Sequence, residues 1–285
     1  MESFDQESPQ YPERLRHIPH PPERLWSVGA LPISSTKTLA VVGSRALSSY
    51  GRHACENLIA GLEGYDVSII SGLAFGADAC AHRAAMRAGL HTIAIPGSGL
   101  AKDVLYPKSH LELAEDIVTS GGALLSEHEP NYQARQYDFP SRNRIMVGMA
   151  DVVLMIEAGE RSGTLITAGM AGEYNRHLLC IPHRIGDAHG FGAQVFLRLG
   201  ATPVFEPNHI LEALGILPRA SDEQKRLPLD LSQNEVSILA LLDEPKTRDE
   251  ILRVSELPAH EALSVFGMLE LKGIIVEEFG VWRRA

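Results

Sequence analysis

FPSRNRIMVGMADVVLMIEAGERSGTLITA, residues 139–168, contains the clearest strand and the clearest turn of the chain. Within it, residues 151–158 include an unbroken apolar run, which predicts a parallel strand covered on both faces. The glycine turn 159–164 follows, and a helix is predicted to start near Ser162. Backbone N–H groups at a helix start lack partners and carry partial positive charge, so they attract anions. The stretch therefore predicts a buried strand that ends at an anion-binding turn.

The segment before this strand combines an aromatic ring with hydrogen-bond donors, namely Phe139, Arg142, Asn143 and Arg144. Single-stranded nucleic acids are held by such a mixture, since stacking contributes roughly 1–3 kcal/mol per base and arginines follow the backbone. The structural alternative is a buried phenylalanine with at least one arginine paired internally, against Glu127 or Glu157. The sequence leaves both interpretations open.

Two further motifs have functional and structural interpretations. Ser162-Gly163-Thr164 predicts either an anion site or a plain helix cap made by Ser162. Asp78 and His82 lie one helical turn apart, a spacing compatible with acid-base chemistry. No nucleophile accompanies them, so a structural pair is the favoured interpretation. The 12 histidines show no HExxH spacing, and no metal site is expected.

Composition and charge limit the classes of function. The chain has 285 residues, 45% hydrophobic and 22% charged, which is ordinary for a globular protein. Its net charge of −10 argues against a protein that coats duplex DNA, although a local basic groove remains compatible with it. No apolar run is long enough to span a membrane, and the acidic N-terminus is unlike a signal peptide. The cysteines Cys55, Cys80 and Cys180 are expected to be buried free thiols in a cytoplasmic protein.

Strand and helix patterns alternate along most of the chain. Strands are predicted at 39–42, 67–70, 91–95, 123–125, 151–158, 177–181 and 203–205. Helices are predicted at 49–62, 76–88, 109–120, 141–149, 164–175 and 193–199. This alternation predicts an α/β fold, an extended Rossmann-like, doubly wound and mostly parallel sheet, in which ligands bind beyond the carboxyl ends of the strands. Several turns predicted at those ends are polar or glycine-containing: Gly43-Ser44-Arg45, Ser71-Gly72, Pro96-Gly97, Gly159-Glu160 and Pro182-His183. Neither GxGxxG nor GxxxxGK[ST] occurs, which argues against a dinucleotide site and a Walker ATPase.

The chain is expected to have four parts. Residues 1–35 are proline-rich and predict an irregular lead-in packed on the core, and 36–217 form the Rossmann-like domain. Residues 218–229 predict a linker, and 230–285 predict a small C-terminal winged-helix domain, with three helices and a hairpin turning at Phe279-Gly280. Its first two helices begin with capping boxes, Ser232–Glu235 and Thr247–Glu250. Residues 221–285 contain thirteen acidic and eight basic side chains, so this part of the chain is negatively charged. A negative module repels DNA, and an auxiliary or protein-contact role is therefore favoured over duplex binding.

Taken together, these motifs resemble the DprA/Smf family of bacterial DNA-processing proteins. The matching segments, in family order, are Gly43-Ser-Arg45 with Ser49-Tyr-Gly51, Ser71-Gly-Leu-Ala74 with Gly76-Ala-Asp78 and Ala81-His82, Thr92-Ile-Ala-Ile95 with Tyr106-Pro107, Leu125-Ser-Glu127, Phe139-Pro-Ser-Arg-Asn-Arg144, Glu157-Ala158 with Ser162-Gly-Thr164 and Thr167-Ala168, and Gly200-Ala201. The resemblance implies a protein without catalysis or cofactor that binds single-stranded DNA, protects it and helps load the RecA recombinase during natural transformation or repair. It also implies a homodimer, contact with single-strand-binding protein and no membrane association.

The resemblance also implies a DNA site. Its residues would be Gly43, Ser44, Arg45, Gly72, Phe139, Arg142, Asn143, Arg144, Ser162, Gly163 and Thr164, with Arg135 and Gln136 as secondary candidates. The sequence departs from the family at two positions. Gln136 stands where family members often have a basic residue, and His183 stands where they have a glycine after the proline. The first departure predicts weaker DNA binding unless Arg135 replaces the charge.

Two other functions compete with this one. A nucleotide-binding N-glycoside hydrolase of the lysine-decarboxylase-like class shares a Rossmann-like core and a Gly-Thr helix start. In this chain Glu157 precedes the turn, and Thr167-Ala168 occupies the place where a catalytic glutamate is wanted. The other is a transcription factor that uses residues 230–285, which the acidic charge of that module disfavours.

Overall fold

The computed structural model describes residues 1–219, 231–242, 246–255, 257–272, 274–278 and 281–284. The chain divides into two compact units, Met1–Pro218 and Arg219–Ala285. The predicted linker from residue 220 onward and the predicted turn at Phe279-Gly280 lie outside the described residues. Within the described ranges, no helix has the length and apolarity that a membrane crossing requires.

The first unit is built on one large sheet. Its strands are β1 (Glu2–Asp5), β2 (Arg24–Gly29), β3 (Lys37–Val42), β4 (Val67–Ser71), β5 (His91–Ala94), β6 (Ala123–Ser126), β7 (Val152–Met155), β8 (His177–Cys180) and β9 (Thr202–Pro203). They lie in the order β1-β2-β6-β5-β4-β3-β7-β8-β9. The pairs β1–β2 and β2–β6 are antiparallel, and the pairs from β6 through β9 are parallel. The predicted mostly parallel, Rossmann-like α/β fold is confirmed.

Helices cover both faces of this sheet. They are α1 (Ser49–Ala60), α2 (Ala77–Arg87), α3 (Leu111–Thr119), α4 (Asp138–Met149), α5 (Thr164–Glu173), α6 (Phe191–Arg198) and α7 (Pro207–Ala213), with short 3-10 helices at Glu13–His17 and Lys108–His110. The central strand β3 sends Leu39 and Val41 into a core shared with α1, α2 and α7. Ala40 and Val42 enter the opposite core, shared with α4, α5 and α6. Both faces are buried because side chains alternate along a strand, which explains the unbroken apolar runs.

The structure corrects several predicted elements. Residues 1–35 are not irregular, since β1 and β2 extend the sheet beyond β6. Leu25 of β2 is fully buried, and so is Leu15 of the short helix between the two strands. Helix α4 begins three residues earlier than predicted, so Phe139 and Pro140 lie in its first turn, where proline is tolerated. Helix α7 was not predicted, although Pro207 at its first position is typical of a helix start.

The described residues of the second unit form three helices followed by two paired strands. Its elements are α8 (Gln233–Ala240), α9 (Arg248–Val254), α10 (Ala259–Leu271), β10 (Ile275–Glu278) and β11 (Val281–Arg284). Both predicted capping boxes are present, Ser232 with Glu235 and Thr247 with Glu250. The described core includes Phe266, whose ring lies edge-on to Trp282 of β11 at 5.3 Å. This is the element order that the sequence predicted for a winged helix.

Candidate functional site

A groove of about 1080 Å³ lies beyond the carboxyl ends of β3 and β7 in the first unit. The strand order reverses at this pair, since β4, β5 and β6 extend to one side of β3 and β7, β8 and β9 to the other. Open parallel sheets bind ligands at such switch points because the loops on the two sides separate there. Ten of the thirteen predicted site residues line the groove: Gly43, Ser44, Arg45, Gln136, Phe139, Arg142, Asn143, Ser162, Gly163 and Thr164. Gly72, Arg135 and Arg144 are not among the lining residues.

Arg45 is an exposed cation at the end of β3. Its guanidinium carbon lies over the ring of Phe139, 5.5 Å from the ring centre. The turn that carries it is fixed because the amide of Ala77 donates to the carbonyl oxygen of Ser44 at 3.0 Å. Gly76 has φ +72°, and a Cβ there would lie 2.2 Å from that same oxygen, so this close approach requires glycine. No carboxylate in the described part of the chain forms an ion pair with Arg45, which leaves its charge available to an anion in the groove.

Phe139 lies half-buried in the first turn of α4. A Cβ on Gly97 would lie 2.9 Å from a carbon of its ring, so the glycine after β5 gives the ring its space. On another side the ring of Tyr106 approaches, with 5.3 Å between ring centres and planes tilted by 49°. The groove therefore has an aromatic wall assembled from the first turn of α4 and the loop after β5.

Arg142 borders the groove but is only 4% exposed. Its Nη1 donates to the carbonyl oxygen of Gly72. The carboxylate of Asp78 lies nearby and accepts from the amides of Gly72 at 3.1 Å and Ala74 at 3.2 Å. Burial lowers the pKa of Arg142 to about 10, with Asp78 opposing the shift and Arg45 adding to it. Burial also raises the pKa of Asp78, and Arg142 opposes that shift. The guanidinium of Arg142 thus joins α4 to the end of β4, and its role is structural.

Gly72 serves this same arrangement. A Cβ at position 72 would lie 2.4 Å from Nη2 of Arg142 and 2.5 Å from Oδ2 of Asp78. The absence of a side chain is therefore explained by the packing of two buried charged groups. The structure gives Gly72 no position on the groove wall.

The other polar residues of α4 also have internal partners. Arg144 makes two hydrogen bonds to Glu127, at 2.5 and 3.1 Å, and both side chains are largely buried. This is one of the internal pairings that the sequence left open. Asn143 lines the groove and donates from Nδ2 to Oγ1 of Thr167 at 2.7 Å, joining α4 to α5. Arg144 therefore fixes the rear of α4, while Asn143 sits at the groove with its amide already engaged.

The turn before α5 offers less to an anion than its sequence suggested. Gly163, not Ser162, is the cap residue. The hydroxyl of Ser162 accepts from the amide of Thr164 at 3.2 Å and donates to its Oγ1 at 2.9 Å. The next two amides, of Leu165 and Ile166, donate to carbonyl oxygens within the turn. The turn also presents the exposed cation of Arg161 to the groove, a residue that the sequence did not single out.

Asp78 and His82 do not bond to each other. The hydroxyl of Thr92 donates to the carbonyl oxygen of Ile69 at 2.9 Å, so its oxygen accepts from Nδ1–H of His82 at 2.8 Å. Nε2 of His82 is buried without a partner. Burial lowers the pKa of His82 to about 3, with Arg142 and His110 as smaller contributions. His82 is therefore a neutral core residue and has no access to a ligand.

We expect this burial to make the protein acid-sensitive. The folded state holds His82 neutral down to about pH 3, whereas the unfolded chain protonates near the ordinary value of 6.5. Between those values the unfolded state binds more protons, so the stability from this group is complete above about pH 6.5 and is lost as the pH falls, by about 1.4 kcal/mol per pH unit. His82→Asn keeps a donor toward Thr92 and removes the titration.

Urea denaturation at pH 7.5 and pH 5 tests this expectation. The wild type should lose roughly 2 kcal/mol more than His82→Asn over that interval. Other groups, including Asp78 with its opposite shift, contribute equally to both proteins and cancel in the difference. Equal losses in the two proteins would contradict the assignment of His82 as a buried neutral group.

Glu157 lies behind the groove wall and not on it. Its carboxylate is fully buried and accepts from the amide of Ser48 at 3.0 Å and from the Ser48 hydroxyl. Nε2 of His183 lies 3.8 Å from it. A Cβ on Gly190 would lie 2.3 Å from Cβ of His183, so the histidine side chain is accommodated by a glycine opposite. Glu157 thus holds the start of α1.

Within the described residues, no group of histidine, cysteine and carboxylate side chains could hold a metal ion.

Comparison with known proteins gives one consistent result. The profile of the family described as DNA recombination-mediator protein A matches residues 3–215. Protein Smf of Escherichia coli is 36% identical over 93% of this chain and 72% of its own length. The DNA processing protein DprA of Streptococcus pneumoniae is 40% identical over 70% of each chain.

Two solved structures are similar to most of this chain. The crystal structure of Streptococcus pneumoniae DprA has a TM-score of 0.69 at 39% identity and covers 74% of this chain and 73% of its own. The Helicobacter pylori DNA processing protein A has a TM-score of 0.65 at 26% identity and covers 71% and 92%. The Helicobacter pylori structure was described for its single-stranded DNA binding mode.

Proposed function

The chain belongs to the DNA recombination-mediator protein A family, also called DprA/Smf, and from this premise we propose that its groove holds single-stranded DNA. The observation that carries the proposal is the position of the Arg45 guanidinium over the ring of Phe139, at the switch point of the sheet, with no ion pair to any described residue. A cation placed beside an aromatic ring suits a phosphate next to a base. The Helicobacter pylori relative, which binds single-stranded DNA, supports the same ligand.

The shape and charge of the groove favour a single strand over a duplex. Stacking on an aromatic wall requires bases that are not already stacked in a helix. The overall charge of −10 disfavours the sequence-independent attraction by which duplex-coating proteins bind. Arg45 and Arg161 concentrate positive charge locally where the groove needs it. The acidic second unit is proposed to be a winged helix with an auxiliary role.

Nucleotide hydrolysis is less well supported by the geometry. A general acid or base must be able to reach its substrate. Asp78 borders the groove but is held by two backbone amides and is 8% exposed. Glu157 does not line the groove, and Thr167 at the expected glutamate position is engaged by Asn143. We therefore propose a binding protein without catalytic activity.

Titration of a fluorescent oligo-dT by anisotropy tests the proposal. We expect saturable binding whose affinity falls with salt, with a slope of about −0.7 per phosphate contacted, and poor competition by duplex of the same length. Binding that is absent at low salt, or that duplex displaces as well as single strand, would refute the proposal. Release of free base from a nucleoside monophosphate would favour the hydrolase instead.

The partners follow from the family and are proposals of the same kind. A recombination mediator brings a recombinase onto single strands, so we propose RecA loading on strands first covered by single-strand-binding protein, in the cytoplasm.

We also propose a homodimer. The side chains of Phe191, Val195 and Leu199 are four residues apart and exposed by 38%, 37% and 74%, which offers an apolar stripe along α6 and its C-cap residue. Light scattering would test the dimer, and RecA filament assembly with and without this protein would test loading.

Gln136 gives a prediction of increased affinity. It is exposed on the groove wall where the family often has a basic residue. Gln136→Lys adds a cation to the proposed phosphate path, so oligo-dT affinity should rise roughly 3- to 10-fold at low salt and the salt dependence should steepen. Gln133→Lys is the matched control, since Gln133 is exposed but does not line the groove. Equal gains from both variants would show that only net charge matters.

A further inference from the structure

Tyr106 is an exposed aromatic residue that the loop after β5 places in the groove. Its side chain is 47% exposed and lines the groove. Its amide donates to the hydroxyl of Ser98 at 3.3 Å. Ser98 is itself buried, and its carbonyl oxygen accepts from Ser126 at 2.7 Å. The neighbouring Leu105 is buried in the core around α3. Tyr106 is therefore held in place by both its backbone and its sequence neighbour.

The ring of Tyr106 has an aromatic neighbour and an exposed surface. Phe139 lies against it, with 5.3 Å between the ring centres. Phe139 has less ring surface to offer a ligand, since Arg45 lies over it and Gly97 lies at its edge. Of the two rings in the wall, Tyr106 is the more exposed. Phe139 packs against Tyr106 and carries the guanidinium of Arg45 over its ring. The two rings thus have different roles.

We propose that Tyr106 is the residue on which a DNA base stacks in this groove. The inference rests on the proposed function and names the contact that selects an unpaired base. A base held there lies beside the guanidinium of Arg45, which is placed to meet the adjoining phosphate. Because a base in a duplex has both faces covered by its neighbours, the contact requires a single strand. Tyr106 therefore contributes the discrimination between single strand and duplex, and Arg45 contributes charge.

Two probe strands of equal length separate these contributions, an oligo-dT and a strand of abasic tetrahydrofuran residues. Tyr106→Leu should weaken oligo-dT binding about 10-fold, since one stacked base is lost, and should leave abasic binding unchanged. Tyr106→Phe and Tyr106→Trp should bind oligo-dT about as well as the wild type. Tyr50→Leu is the matched control, because Tyr50 is 49% exposed beside the aromatic ring of His183 but does not line the groove.

Each outcome decides between the two proposals. If the wild type binds neither strand, the proposed function fails. If the wild type binds oligo-dT and Tyr106→Leu binds it equally well, the proposed function stands and the stacking inference is overturned. Equal losses for both strands also overturn it, since they would show that Tyr106 acts only through the loop.

A second measurement needs no variant. Irradiation of the wild-type complex with a 5-iododeoxyuridine strand should give a crosslinked peptide that contains Tyr106, since this base reacts with aromatic rings on which it stacks. Crosslinks found only on peptides that lack Tyr106 would overturn the inference even if the leucine variant failed to fold.

Discussion

Arg45→Glu is expected to weaken oligo-dT binding by about 100-fold or more while leaving the fold unchanged. The change removes the proposed charge-assisted hydrogen bond to phosphate, a kind of bond that is worth roughly 1.5–3 kcal/mol. It also places a carboxylate beside the DNA backbone, where like charges repel. Arg45 is exposed and makes no ion pair with the described residues, so the folded protein loses only its contact with Phe139. Anisotropy titration and thermal denaturation measure the two effects separately.

The matched control is Arg83→Glu. Arg83 is exposed on α2 and does not line the groove, so this variant changes the net charge by the same amount. It should weaken binding only slightly, by a long-range effect that salt screens. If Arg45→Glu binds oligo-dT as well as Arg83→Glu does, this groove is not the path of the phosphates.

Arg142→Met is expected to lower the free energy of unfolding by about 3 kcal/mol, because it leaves the buried carboxylate of Asp78 without its compensating cation. The carbonyl oxygen of Gly72 also loses its donor. For a unit of this size the midpoint of thermal unfolding should fall by roughly 6–12 °C. The result would distinguish the stabilising role of Arg142 from the DNA-binding role of Arg45, although both residues belong to motifs that imply DNA contact.

The double variant Asp78→Asn with Arg142→Met provides the control. Removing both charges should recover part of the lost stability, because an unpaired buried charge costs more than a neutral pair. A coupling of about 1 kcal/mol or more in a double-mutant cycle would support this. The role assigned to Arg142 fails if the single variant unfolds at the wild-type temperature yet no longer binds oligo-dT.

The sequence predicted the parts of the fold that depend on local patterns. The apolar run 152–156 identified β7 because a strand buried on both faces needs no polar position. The glycine and serine turns predicted where the groove lies, since parallel strands end at the same edge of a sheet. The pairing of Arg144 with Glu127 was one of two alternatives. The sequence could suggest it because an arginine that is buried between a helix and a sheet needs an acidic or hydrogen-bonding partner.

Contacts between distant segments could not be predicted in this way. The antiparallel pairing of β2 with β6 joins residues about a hundred positions apart, and the prolines around it suggested an irregular segment. Arg142 was assigned to the groove by its motif, and only the packing around Gly72 shows that it is buried. Tyr106 becomes a groove residue because the loop after β5 meets the start of α4. The hydroxyl of Ser162 accepts a hydrogen bond from the amide of Thr164, which the helix-start pattern predicted to be available to an anion.

Hydrogen exchange with and without oligo-dT tests the central claim most directly, because it reports where the strand lies on the whole protein. We predict slower amide exchange in peptides that cover 43–46, 104–108 and 134–143, with no change in peptides from 231–242 and 259–271. Slower exchange confined to the second unit, with the groove peptides unchanged, would contradict the assignment of the groove as the site for single-stranded DNA.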